Sequence, residues 1–304
     1  MKKRKEVFEH LDLYVCEAHR WEFKMKKFIV LLLSAVLLTG MSINVQAQPD
    51  YCLQKNTPFY QGLVDIGTHS LYVNMQGEGK PTIVFETGYS DTNDFWSVIQ
   101  SNLKEEYATF SYDRAKLGKS EDNGLEKNVL QQVEELRALL HIKQVEAPYI
   151  LVGHSAGAFI VKTFMALYPE EVAGVLLIDG TSEYQNEELL TLMPAFLQED
   201  VKNSMTAEGD YKTLVKSGDI IKNLLADADI SNIPITVLTA TKPLGLDEVV
   251  PGLDAQITAK QIELQGRILT KTKYGSQILV DAGHYIYQEQ PQLVIDSIRT
   301  LAER

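Results

Sequence analysis

Cysteine is scarce in this sequence, and that scarcity limits the kinds of site the chain can build. The 304 residues include two cysteines, Cys16 and Cys52, which are too few for a disulfide framework or a cysteine-ligated metal cluster. The His-Glu-x-x-His signature of zinc hydrolases is also missing. We therefore expect a protein that works without a metal or another cofactor.

Positive charge is scarce as well. The chain has 29 basic and 41 acidic residues and a net charge of −12, and without residues 1–47 it keeps 21 basic and 36 acidic residues, a net charge of −15. An acidic surface of this kind repels phosphate backbones. Nucleic acid is therefore not an expected partner.

Long apolar runs are missing, and the most apolar stretch lies near the N-terminus. Two lysines precede the apolar residues 28–38, and a Val-Gln-Ala triplet at residues 45–47 follows them, which is the order of a secretion signal. The run is shorter than the roughly 20 residues that a spanning helix requires. We expect a signal peptide over residues 25–47, preceded by an upstream extension, and a periplasmic or secreted mature chain without stable membrane insertion. An uncleaved membrane anchor is the alternative.

Eight runs rich in β-branched and aliphatic residues predict the strands of a single sheet. The first two form a hairpin, and the rest are separated by stretches long enough for crossover helices. The eight runs are residues 62–67, 70–76, 82–86, 108–112, 149–153, 174–179, 235–240 and 277–281. This pattern predicts an α/β fold over residues 48–304, with a mostly parallel eight-stranded sheet, helices on both faces and a ligand site at the carboxyl ends of the strands.

One connection, about residues 181–232, is too long for a plain crossover and predicts a small helical lid. Its apolar side chains indicate either an apolar substrate pocket or packing of the lid against the body. These side chains are Leu189, Leu190, Leu192, Met193, Phe196 and Leu197.

A candidate nucleophile follows the fifth predicted strand. The apolar run ending at Val152 leads directly into Gly153-His154-Ser155-Ala156-Gly157, and a helix-like run follows. A serine at a strand-to-helix turn takes a strained backbone conformation, and glycines two residues to either side remove Cβ atoms that would collide. A tight glycine turn with an incidental serine is the other interpretation, but it does not explain why an apolar strand enters it directly. We therefore select Ser155.

The serine needs a base within hydrogen-bond reach, because its hydroxyl is a poor nucleophile at neutral pH. His284 follows the last predicted strand, and the chain order nucleophile, acid, histidine requires a late base. The other histidines have different explanations: His10 and His19 precede the expected mature chain, His69 lies in a hairpin turn, His141 ends a helix, and His154 is a packing residue beside the nucleophile.

The base needs a carboxylate to orient it, and two aspartates are candidates. Asp179 directly ends the strand-like residues 174–179, whereas Asp247 lies several residues into the loop after residues 235–240. Both lie at the same edge of the predicted sheet. We favour Asp179 for its position and keep Asp247 as the alternative, while a helix cap for the lid is the other interpretation of Asp179.

Hydrogen-bond donors for a developing oxyanion complete the expected site. The N–H group of Ala156 opens a helix directly after the nucleophile. The second donor should come from the loop after residues 82–86, where Thr87-Gly88-Tyr89 makes the N–H group of Tyr89 the candidate.

The chain resembles the alpha/beta-hydrolase superfamily over nearly all of residues 58–304. The resemblance is carried by the Gly77-Glu78-Gly79 turn and by the Asp-Arg-Ala-x-x-Gly-x-Ser segment of residues 113–120. It implies that the Asp-Arg segment closes the loop beside the oxyanion site, and that the catalytic roles fall on Ser155, His284 and one of the two aspartates. Thr87-Gly88 stands where the family usually has His-Gly, and the usual aspartate after the penultimate strand is not cleanly placed.

The function that fits these residues is ester hydrolysis through an acyl-enzyme, with a small-molecule acyl compound as substrate. Hydrolysis of C–C bonds or lactones and perhydrolysis use the same residues, so fold and triad do not separate them. A binding protein of the same fold without turnover is the alternative from a different class. No feature of the sequence specifies an oligomeric state.

Overall fold

A computed structural model describes the protein at residues 59–125, 128–199 and 217–304. The expected signal peptide and upstream extension, Cys52 and the middle of the expected lid lie outside these residues. Among the helices so described, none combines the length and the apolar character needed to cross a membrane.

Eight strands form one sheet in the order β1-β2-β4-β3-β5-β6-β7-β8. They are β1 (Phe59–Asp65), β2 (Ser70–Gln76), β3 (Thr82–Glu86), β4 (Thr109–Tyr112), β5 (Tyr149–His154), β6 (Val172–Ile178), β7 (Ile235–Ala240) and β8 (Gly275–Val280). β2 is antiparallel to its neighbours β1 and β4, and every other pair is parallel. The predicted eight-stranded, mostly parallel sheet is confirmed.

Eight α-helices lie entirely within the described residues, and residues 195–199 are helical as well. They are α1 (Ser97–Leu103), α2 (Val129–Ile142), α3 (Gly157–Leu167), α4 (Gln185–Glu188), α5 (Gly218–Asp227), α6 (Leu253–Gly266), α7 (Ile286–Glu289) and α8 (Pro291–Ala302). α2 begins at Val129 because Asn128 caps it: its side chain accepts from the N–H group of Gln131, and the Gln131 side chain accepts from the N–H group of Asn128.

The central strands are apolar at consecutive positions because alternate residues enter two different cores. In β3, Val84 joins the core that contains side chains of α2, α3 and α5, whereas Ile83 and Phe85 join the core beneath α1 and α8. In β5, Leu151 and Val152 divide in the same way. Helices therefore cover both faces of the sheet, and the loops at the carboxyl ends of its strands are left to build a site.

The first part of the expected lid packs against α6. Leu189 is buried in a cluster with Leu253, Ile257 and Leu264 of α6, and Leu192, Met193 and Leu197 pack around that cluster. The Arg267 guanidinium just after α6 also forms an ion pair with Glu188 of α4, with nitrogen to oxygen distances of 2.5 and 2.7 Å. These apolar contacts and the ion pair therefore hold α4 and the following turn against the body of the protein.

Candidate active site

Ser155 lies in the sharp turn between β5 and α3, in a left-handed conformation with φ of 51°. Its N–H group donates to the carbonyl of Ile178 at 3.1 Å, and its carbonyl accepts from the N–H group of Thr181 at 2.9 Å. These two bonds stabilise a conformation that a non-glycine residue rarely takes.

The glycines on either side of Ser155 are required by space. A Cβ atom on Gly157 would lie 2.6 Å from the carbonyl oxygen of Thr87 and 2.7 Å from that of Glu86, both backbone atoms. A Cβ atom on Gly153 would lie 2.9 Å from the Val161 side chain. The glycine at 157 thus lets α3 begin directly against the end of β3, beside the loop that carries Tyr89.

His284 lies between Ser155 and Asp179. Its Nε2 atom is 2.9 Å from the Ser155 Oγ atom, and its Nδ1 atom is 2.6 Å from Asp179 Oδ2. An ionised carboxylate can only accept, so Nδ1 carries the proton and the lone pair of Nε2 faces the serine hydroxyl. The sheet thus brings together three side chains from the loops after β5, β6 and β8.

Asp179 is a buried carboxylate with several hydrogen-bond donors. It is 5% exposed, and its Oδ1 atom accepts from the side-chain amide of Gln265 at 2.8 Å and from the N–H group of Ala240 at 3.2 Å. Burial by itself raises the pKa of Asp179, but the hydrogen bonds from His284, Gln265 and Ala240 outweigh burial and hold that pKa below its ordinary value. The carboxylate is therefore ionised at neutral pH.

Asp247, the other candidate acid, lies in the turn of residues 246–248 that precedes α6, and not beside His284. Its Oδ1 atom accepts from the N–H group of Asp254 at 2.7 Å, while the Asp254 carboxylate accepts from the N–H group of Asp247 at 3.2 Å. Asp247 thus satisfies an N–H group in the first turn of α6, as a capping side chain does.

Arg114 holds the loop that carries Tyr89 through hydrogen bonds to its backbone. This guanidinium, 2% exposed, donates to the carbonyls of Thr87 at 2.9 Å and Gly88 at 2.7 Å, and lies 3.5 Å from Glu86 Oε2. Tyr89 and Ala156 both line the pocket at Ser155. Arg114 therefore fixes the backbone directly before Tyr89.

The rest of the Asp-Arg segment is a compact turn built around Asp113. Its Oδ1 atom accepts from the N–H group of Asn93 at 2.7 Å, and its Oδ2 atom accepts from that of Lys119 at 2.9 Å. The Ser120 hydroxyl donates to the Asp113 carbonyl at 2.6 Å. A Cβ atom on Gly118 would lie 2.2 Å from Asp113 Oδ2, so the segment needs glycine there.

His154 connects the turn of Ser155 to the loop of His284. Its Nε2 atom lies 3.0 Å from the carbonyl oxygen of His284, and because a carbonyl only accepts, Nε2 is the donor. On the other side of the ring, Nδ1 is 3.6 Å from Asp91 Oδ2. Burial, the largest influence, lowers the pKa of His154 below the ordinary histidine value, although Asp91 opposes the shift.

A pocket of about 280 Å³ opens beside Ser155. It is lined by Tyr89, Asp91, His154, Ser155, Ala156, Asp179, Thr181, Gln185, Gln261, Gln265, His284 and Tyr285. Most of these side chains are polar, and none of the six apolar lid side chains named from the sequence is among them.

Sequence reasoning did not find Asp91, Gln185, Gln261 or Gln265 as pocket residues. The three glutamines lie on helices or their starts with no distinguishing pattern, and only the folded chain shows which helix face meets the pocket. Asp91 lies four residues after Thr87. Its position near the predicted oxyanion loop was a weak indication that it would line the pocket. In the described ranges no group of three or more His, Cys, Asp and Glu side chains is placed to hold a metal ion.

Comparisons with known proteins agree with the architecture. A family model for the alpha/beta hydrolase fold matches residues 81–207. The Bacillus subtilis protein YqjL is 27% identical over 222 residues, which are 72% of this chain and 82% of YqjL. The 2-(acetamidomethylene)succinate hydrolase of Mesorhizobium japonicum is 30% identical over 133 residues, 43% of this chain and 46% of that enzyme. The crystal structure of Cfl2 from Burkholderia cenocepacia, at 17% identity, superposes with a TM-score of 0.60 over 82% of this chain and 97% of Cfl2.

Proposed function

Since this chain belongs to the alpha/beta-hydrolase superfamily, we propose that it is a serine hydrolase that cleaves carboxylic esters through an acyl-enzyme on Ser155. The observation that carries the proposal is the unbroken contact from the Ser155 hydroxyl through the His284 imidazole to the Asp179 carboxylate. This is the arrangement that converts a serine hydroxyl into a nucleophile.

In the first half of the proposed reaction, the Ser155 oxygen attacks the ester carbonyl carbon while His284 Nε2 takes the hydroxyl proton. The imidazolium that forms is stabilised by the Asp179 carboxylate at its Nδ1 atom, 2.6 Å away. The negative charge on the former carbonyl oxygen is received by the N–H groups of Tyr89 and Ala156, two residues that line the same pocket.

Collapse of this intermediate breaks the bond to the alcohol oxygen, which takes the proton from His284 and leaves. Water then attacks the acyl-serine ester and gives its proton to His284, and the second collapse returns that proton to Ser155 and releases the acid. The His284 side chain is 42% exposed, so water has access to the base.

We propose small, polar esters as the preferred substrates. The pocket is about 280 Å³, near the lower end of the range for small-molecule sites, and its lining includes Asp91, Gln185 and Gln261. A long acyl chain would have to displace water from these polar groups without replacing their hydrogen bonds. Of the six lid side chains that suggested an apolar pocket, Leu189, Leu192, Met193 and Leu197 pack instead against α6, and Phe196 is exposed.

Labelling with a fluorophosphonate probe tests the nucleophile. We expect covalent modification of the wild-type protein at Ser155 and none of a Ser155→Ala variant with the same circular dichroism spectrum and melting temperature. A correctly folded wild-type protein that stays unlabelled would overturn the enzyme proposal in favour of a binding protein of this fold.

Hydrolysis of p-nitrophenyl acetate, butyrate, octanoate and palmitate tests the bond and the substrate size. We expect kcat/KM to be greatest for the two short esters and to fall with chain length. Activity that rises toward palmitate would contradict the polar pocket. Labelling of Ser155 without turnover of any ester would direct attention to lactones, C–C bonds or perhydrolysis.

The proposed site of action is outside the cytoplasm, on the strength of the leader pattern over residues 25–47. Expression of the full chain followed by mass spectrometry of the N-terminal peptide tests this. A mature N-terminus near Gln48 in the periplasmic or culture fraction is expected. Recovery of the uncleaved chain in the membrane fraction would support an anchor instead.

A further inference from the structure

Behind Asp179 lies a row of hydrogen-bonded side chains that leads away from the pocket. The Gln265 amide nitrogen contacts Asp179 Oδ1 at 2.8 Å, and the Gln265 amide oxygen accepts from the Thr239 hydroxyl at 2.8 Å. The Gln277 amide nitrogen in turn donates to the Thr239 hydroxyl oxygen at 2.9 Å and to the carbonyl of Ile262 at 2.9 Å. The row thus joins α6, β7 and β8 to the loop after β6.

The direction of every donor in this row follows from the charge on Asp179. An ionised carboxylate only accepts, so Gln265 must present its NH₂ group to Asp179 and its oxygen to Thr239. The Thr239 hydroxyl must then donate to Gln265, which leaves its lone pairs for the NH₂ group of Gln277. With its second N–H group on Ile262, the Gln277 amide is fixed in one orientation too.

The row is buried at Asp179, Thr239 and Gln265, and Gln277 at its far end is half-buried. Thr239 is 0% exposed and Gln265 is 7% exposed. A Cβ atom on Gly266 would lie 2.6 Å from the amide oxygen of Gln277, so the glycine that ends α6 makes room for the far end of the row. A buried amide with both ends bonded cannot rotate without losing a hydrogen bond.

We infer that Gln265 is a positioning residue for the reaction, oriented by Thr239 and Gln277. It holds Asp179 Oδ1 so that Oδ2 faces His284 Nδ1. The inference rests on the proposed function, because it assigns to Gln265 the task of aligning the acid of that mechanism. Without Gln265, Asp179 Oδ1 keeps the N–H group of Ala240 at 3.2 Å, and the carboxylate is free to turn away from the imidazole.

The test compares Gln265→Met with Gln256→Met. Methionine has a similar length and no donor, and Gln256 is an exposed glutamine of the same helix whose amide contacts the Gly252 carbonyl. With p-nitrophenyl acetate we expect Gln265→Met to lower kcat roughly tenfold to a hundredfold, the effect of losing a hydrogen bond to a charged group, with little change in KM. Gln256→Met should keep the wild-type kcat.

A second pair of variants tests the orientation of the amide. Thr239→Ser keeps the hydroxyl and should keep most of the activity, whereas Thr239→Val removes it and should lower kcat. Because Thr239 is inferred to act through Gln265, the double variant Thr239→Val with Gln265→Met should lose less than the product of the two single losses. A loss of kcat in the double variant equal to the product of the two single losses would contradict the inferred row.

The proton resonance of His284 Nδ1 separates this inference from the proposed function, since it needs no turnover. We expect a far-downfield signal in the wild-type protein and in Gln256→Met, and a signal shifted upfield or broadened in Gln265→Met with an unchanged fold. If the signal shifts in Gln265→Met but the wild-type protein hydrolyses no ester, the positioning role of Gln265 stands and the proposed esterase activity is wrong. A Gln265→Met variant with the wild-type signal and the wild-type kcat would overturn the inference.

Discussion

His154 Nε2 donates a hydrogen bond to the main-chain carbonyl of His284 at 3.0 Å, so the residue before Ser155 holds the loop that carries His284. The two imidazole rings lie 4.7 Å apart between centroids. Because the contact is made through the backbone of His284, it fixes the loop without using the nitrogen atoms that face Ser155 and Asp179.

Replacement of this anchor is expected to slow the reaction. His154→Phe removes the donor while filling most of the space, and we expect kcat for p-nitrophenyl acetate to fall about three- to tenfold, the worth of one neutral hydrogen bond. The matched control is His141→Phe, at an exposed position near the end of α2. An unchanged kcat in His154→Phe would show that the loop holds His284 without this bond.

Stability should depend on pH through the same residue. Burial lowers the pKa of His154 in the folded protein, while the unfolded chain takes up a proton near pH 6.5. The stability that His154 contributes is therefore fully present above about pH 6.5 and is lost as the pH falls through its lower folded pKa. Melting temperatures at pH 8 and pH 5.5 should differ more for wild type than for His154→Phe. A His141→Phe variant should retain the wild-type difference.

The two aspartates can be separated by amide substitution. Asp179→Asn would present an NH₂ group or a neutral oxygen to His284 and favour the wrong tautomer, so we expect kcat to fall by about 10³- to 10⁴-fold. Asp247→Asn keeps an oxygen that can accept from the N–H group of Asp254 and should retain nearly full activity. Similar losses in the two variants, measured as kcat on the same ester, would argue against Asp179 as the acid.

The Arg114 guanidinium, which holds the loop that carries Tyr89, should contribute strongly to the free energy of unfolding. Arg114→Met leaves Glu86 buried without that positive charge, and we expect the free energy of unfolding in urea to fall by about 3–5 kcal/mol. Adding Glu86→Gln should recover part of the loss because the buried negative charge is then removed as well. Arg299→Met, which breaks a surface pair with Glu106, should cost about 1 kcal/mol or less. Equal losses at positions 114 and 299 would contradict this account.

The fold could be predicted because its strongest signals are local. The strand runs were found with errors mostly at their ends, as in β8, predicted from residue 277 but beginning at Gly275. That strand has five of its six residues exposed or half-buried, so its sequence lacks the continuous apolar character that marks β3 and β5. The ends of strands at the edge of a sheet are therefore the hardest to predict from the sequence.

The grouping of the candidate site residues could be predicted to the extent that it follows from chain order. Ser155 is marked by its glycines, and His284 by its place after the last strand. The choice between Asp179 and Asp247 stayed open because both follow strands that end at the same edge, and the capping contact with Asp254 is visible only in the folded chain. Gln265 could not be predicted at all, since it meets Asp179 across 86 residues from a helix position with no distinctive neighbours.

The two backbone bonds of Ser155 to the segment around the end of β6 have a consequence for motion. They fasten Ser155 to Ile178 and Thr181, on either side of Asp179. A fluctuation of that strand therefore carries hydroxyl and carboxylate together, as parts of one rigid body. Relative movement of Ser155 and His284 then requires a swing of residues 281–285, which the bond from His154 to the His284 carbonyl opposes. The tightness of this one stretch therefore sets how often the imidazole lies in line with its two partners.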